Sequence, residues 1–185
     1  GGYDGAAPGI AQVAAAACAA APLESGKSLA ALVESLGGRM SINVYPDMVS
    51  VAVAVPAFEQ RRALAGLTAA YFAPRLDGAA LTAAQRDASV LVVERRYSPG
   101  LALEDAVFAQ LFSSGPAHGG VLPSDAHAIA AMTLDEVRAF ASRAFRASNG
   151  VLTLAGDAQI AQLDAVTDGT GAGAPDAPFD SRVGP

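Results

Sequence analysis

Apolar positions recur along this chain at two spacings, and the spacings predict its elements. From Gly9 to Pro22 the run Gly-Ile-Ala-Gln-Val-Ala-Ala-Ala-Ala-Cys-Ala-Ala-Ala-Pro is dominated by the residue of highest helix propensity, so it predicts a helix that Pro22 stops. No charge stands between Asp4 and Glu24, and a helix without a charged face is one buried on most sides. Its face at Gln12, Ala15, Ala16 and Ala19 carries no reactive group. After Ser28, a good N-cap, the residues Leu29, Leu32, Val33 and Leu36 return at helical spacing, and Gly37-Gly38 end that second helix.

The period then changes to two. Met40, Ile42 and Val44 alternate with Ser41, Asn43 and Tyr45, and beyond Pro46-Asp47 the residues Val49, Val51, Val53 and Val55 alternate with Ser50, Ala52 and Ala54. Such alternation across a turn signal predicts a β-hairpin with one packed side. Helical spacing resumes from Phe58 to Phe72, with Leu64 and Leu67 among its apolar positions and Pro74 as the stop. Thr82 and Gln85 have the capping-box spacing for a helix running to Tyr97. Another helix is expected from Leu101 to about Ser113, burying Leu103, Val107, Leu111 and Phe108. A long loop with His118 and Pro123 follows.

Thr133 and Glu136 repeat the capping-box spacing ahead of a helix to about Arg146, whose apolar positions are Val137, Phe140, Ala141 and Ala144. Gly150 to Gly156 reads as a strand, and Asp157 as the cap of a last helical stretch ending near Leu163. The expected fold class is therefore α+β, a mostly antiparallel sheet with helices packed on one face. Positions 1–167 form the expected domain, and 168–185, rich in Gly, Ala, Pro and Asp, read as a linker or disordered tail.

Composition narrows the function classes. The 185 residues carry a net charge of -6, the wrong sign for a nucleic-acid face. The pairs Arg61-Arg62 and Arg95-Arg96 read as solvated helix faces. The alanine-rich run is well short of the roughly 20 residues that a bilayer span needs, so no membrane partner is expected. The single cysteine, Cys18, excludes an internal disulfide and lacks a nearby positive charge that would make it a nucleophile. His118 and His127 are not spaced to share a helix face. Ser98 and Ser114 have no adjacent base, and the stretch from Gly169 to Gly173 lacks the preceding strand and following Lys of a phosphate loop.

The order of these elements, together with Gly2-Tyr3-Asp4, Pro8-Gly9-Ile10-Ala11, Gly37-Gly38, Val93-Glu94, the loop around Ala117-His118-Gly119-Gly120, Met132-Thr133-Leu134-Asp135-Glu136-Val137 and Leu154-Ala155-Gly156-Asp157, resembles the M16 metallopeptidases. These are the inverted zincins that include pitrilysin, insulin-degrading enzyme and the mitochondrial processing peptidase. The resemblance spans positions up to about 165. In that family the first helix carries His-x-x-Glu-His: two imidazoles four residues apart bind zinc, the Glu activates the metal-bound water, and a distant Glu completes the ligand set.

Set on this sequence, the motif falls on Gln12, Val13, Ala14, Ala15 and Ala16, and the distant ligand on Glu94. The resemblance thus implies vestigial site positions at Gln12, Ala15, Ala16 and Glu94, no catalytic residue and no metal, because the ligands of the family's zinc are lost. Glu94 is left either to pair with Arg95 or Arg96, or to face the cavity that the family fills with zinc. The expected role is a non-catalytic scaffold or substrate-chamber wall beside an active M16 peptidase subunit or a second M16-like domain, with extended peptide as a further partner and a bacterial periplasmic or secreted setting. Two alternatives stay open: part of a composite site completed by a partner, and an interaction module unrelated to proteolysis. The family also implies a strand pair ahead of Gly2-Tyr3-Asp4. Without it the sheet would be incomplete and open to self-pairing.

Overall fold

The computed structural model describes residues 7–45, 48–111 and 126–157, apart from the side chains at positions 105, 108, 109 and 111. Helix α1 spans Ile10–Ala20. Gly9 precedes it at φ 88°, in the left-handed region where a residue without Cβ pays no steric penalty. Helix α2 spans Leu29–Ser35, and the Ser28 hydroxyl accepts from the Ala31 N–H at 3.2 Å, as the N-cap reading requires. Strands β1, Arg39–Val44, and β2, Val49–Ala54, pair antiparallel with Ser41 opposite Ala52. Met40, Ile42 and Val44 of β1, with Val49, Val51, Val53 and Val55, form the side that packs on the core. Gly38 sits where the hairpin closes on α2: a Cβ there would lie 2.5 Å from the Ala54 carbonyl oxygen, so no larger residue fits without a shift.

After a 3-10 turn at Ala57–Glu59, α3 runs Gln60–Phe72 and α4 runs Gly78–Tyr97. The chain continues in α5, Pro99–Leu111, a short α6, Ala126–Ala130, and α7, Leu134–Ala144. The expected helix from Phe58 thus begins at Gln60, and Phe58 is 85% exposed. Helix α5 begins two residues earlier than expected because Pro99 occupies its first position, where the missing N–H costs no hydrogen bond. Its Leu103 is 66% exposed rather than buried. Val107 is exposed as well, since nothing among the described residues covers that side of α5.

Helix α1 lies at the centre, packed against α4, α7, α3, α2 and β1. The Arg138 guanidinium of α7 donates to the Leu76 carbonyl at 2.7 Å, fastening α7 to the segment that leads into α4. Tyr71, Phe140 and Phe145 make two edge-on ring contacts with centroids 5.5 and 6.0 Å apart, a favoured aromatic geometry. The α+β class holds, with a two-stranded antiparallel sheet among the described residues.

Two local readings are corrected. Thr82 does not cap α4: Asp77 does, its carboxylate accepting from the Ala80 N–H at 2.8 Å, and the Thr82 hydroxyl instead donates back to the Gly78 carbonyl. The stretch Val151–Ala155 forms no ladder, and Val151 is 97% exposed. Alternation describes a strand that could pair, but pairing needs a neighbour, and none of the described residues supplies one. The stretch 158–163, His118 and the tail 168–185 lie outside the described residues. Among the described residues no helix is long and apolar enough to cross a membrane.

Candidate functional site

Eight residues of α1 are buried: Ile10, Ala11, Val13, Ala14, Ala15, Ala17, Cys18 and Ala19. The others, Gln12, Ala16 and Ala20, are only partly covered and, four residues apart, form one stripe along the helix. Gln12 and Ala16, two of the positions expected to be vestigial, therefore share the partly accessible line of α1. Ala15 does not: it is fully buried. The Tyr71 hydroxyl of α3 donates to the Ala15 carbonyl at 3.0 Å, so the backbone at this position is held by a side chain 56 residues away in sequence.

One turn on, Cys18 is buried without a cationic neighbour. Burial alone pushes its thiol from 9.0 up to about 12, which leaves a neutral, inert sulfur at ordinary pH. Burial, and then the nearby Cys18, also push the Tyr71 phenol up. Both groups therefore act here as neutral packing and hydrogen-bonding side chains.

Glu94 lies on α4, the helix whose Ala80, Leu81, Ala84, Ala88 and Val92 are buried in the core around α1. Glu94 itself is exposed. Neither Arg95 nor Arg96 forms a salt bridge with it: Arg95 instead approaches Glu104 of α5 at 4.0 Å. Two hollows of about 300 and 280 Å³ are lined by the base of the hairpin and by the α1–α2 and α3 segments. Neither contains Gln12, Ala15, Ala16 or Glu94.

A catalytic zinc needs three nitrogen, oxygen or sulfur ligands from the protein and an open position for water. The four vestigial positions offer one amide oxygen, one carboxylate and two methyl groups, so they do not fit that ion. Among the described residues no three His, Cys, Asp or Glu side chains cluster as a metal site would require. His127 stands in the last turn of α6, exposed to solvent.

Two residues matter here that sequence reasoning passed over. Tyr71 gives no signal beyond an aromatic near the end of a helix, because its partner is a distant backbone carbonyl. Gln85 sat in a capping-box pattern, yet its amide nitrogen donates to the carbonyls of Ile129, Ala130 and Met132 at 3.1, 3.2 and 2.9 Å. It caps the carbonyl end of α6, a helix that the alanine-rich stretch 126–131 contains and the loop reading missed.

A crystal structure of a peptidase M16 inactive domain from Pseudomonas fluorescens matches 96% of this chain with a TM-score of 0.70 and 24% sequence identity. This chain shares the M16 inactive-domain fold. It spans 44% of the length of that structure. No family model and no curated protein matches it. At this identity the likeness is one of fold. Within this chain's structure Gln12 and Ala16 lie on the central helix α1, and Glu94 on α4, which packs beside it.

Proposed function

We propose that the chain is a non-catalytic M16-like domain, a scaffold and substrate-chamber wall that works beside an active zinc-peptidase domain or subunit and helps to confine extended peptide. The observation that carries this reading is the accessible stripe of α1: at Gln12 and Ala16 it presents an amide and a methyl group where zinc chemistry would require two imidazoles, inside a fold shared with an M16 inactive domain. Without a metal-bound water of lowered pKa, and with no carboxylate at Ala15 to take its proton, peptide hydrolysis has neither nucleophile nor base.

The test is to incubate the purified 185-residue chain with a quenched fluorescent peptide library and excess zinc. Cleavage at the buffer rate is expected, and turnover abolished by chelator would overturn the proposal. The exposure of Glu94, with no ion pair to either neighbouring arginine, favours a second reading in which its carboxylate completes a site on a partner. In that case Glu94→Ala would lower the activity of the mixed assembly, whereas a chamber wall would leave it unchanged.

A further inference from the structure

We draw no further inference here: the strongest candidate, the groove of about 280 Å³ between residues 21–25 and the small-residue face of α3 at Ala65, Gly66, Ala69 and Ala73, carries nothing because its rim charges, Glu24 and Arg75, already pair with each other at 2.9 Å and nothing in the structure shows what covers it.

Discussion

Helices α1 and α5 both carry apolar residues at helical spacing, α5 with Glu104 and Asp105 among them, yet α1 is enclosed while the described apolar side chains Leu103 and Val107 of α5 lie open. Eight of the eleven residues of α1 are buried, while Leu103 and Val107 of α5 face solvent. Side-chain size accounts for much of the difference. The alanines of α1 let α4, α7, α3 and β1 approach closely from several directions, and burial follows from the number of neighbours that fit. Helix α5 rests on α4 and is tied to it by the long Arg95–Glu104 contact at 4.0 Å. Apolar content marks a segment that can be buried, and only the packing partners decide whether it is.

The largest expected effect comes from loading the enclosed helix with charge. Ala15→Glu places a carboxylate at a fully buried position with no cation to pair it, and should cost about 3–5 kcal/mol, enough to unfold much of the population. Ala16→Glu, on the partly accessible stripe, should cost about 1 kcal/mol or less by urea titration. Equal costs at the two positions would break the distinction between stripe and core.

Truncation sharpens the contrast between the two helices. Val13→Ala, at a position with no exposed surface, should lose about 2 kcal/mol. Leu103→Ser in α5 should stay within about 0.5 kcal/mol of the parent. Tyr71→Phe removes the hydroxyl that reaches the Ala15 carbonyl and should lose about 1 kcal/mol, read in the same titration.

The smallest effect is one of pH. The buried Cys18 thiol is pushed from 9.0 to about 12, so folding favours its neutral form. That contribution is fully present below pH 9.0 and is lost as pH rises toward 12, because the unfolded thiol ionises first. Cys18→Ala should therefore show a shallower loss of stability over this alkaline range than the parent. The remaining slope includes Tyr71, whose phenol is raised in the same sense. Parallel curves for the two proteins would mean that Cys18 is not enclosed as described.

Much of this fold was legible in the sequence wherever a local rule sufficed. Thr133 and Glu136 form the expected reciprocal cap, with the Thr133 N–H donating to the Glu136 carboxylate at 2.8 Å and the Glu136 N–H to the Thr133 hydroxyl at 3.3 Å. The Thr133 N–H, and then the Thr133 hydroxyl, hold the Glu136 carboxyl below its ordinary range. The alternation in the hairpin also gave the packed side of both strands. What eluded the sequence depends on partners far away: the cap that Gln85 provides to α6, the hold of Tyr71 on α1, and the lack of a neighbour for Val151–Ala155. Of the face read at Gln12, Ala15, Ala16 and Ala19, only Gln12 and Ala16 fall on the accessible stripe of α1; that these two share one side of the helix was legible. That Ala15 lies beneath this stripe, in the core, was not, because spacing alone does not tell which side of an all-alanine helix meets solvent.

The central claim is that α1 cannot grip a catalytic metal. Its most direct test is the zinc content of the purified chain by plasma emission after loading with zinc and dialysis against chelator. Far less than one zinc per chain is predicted, with the same value for Gln12→Ala and Glu94→Ala. One zinc per chain that survives dialysis and is lost on either substitution would contradict the account.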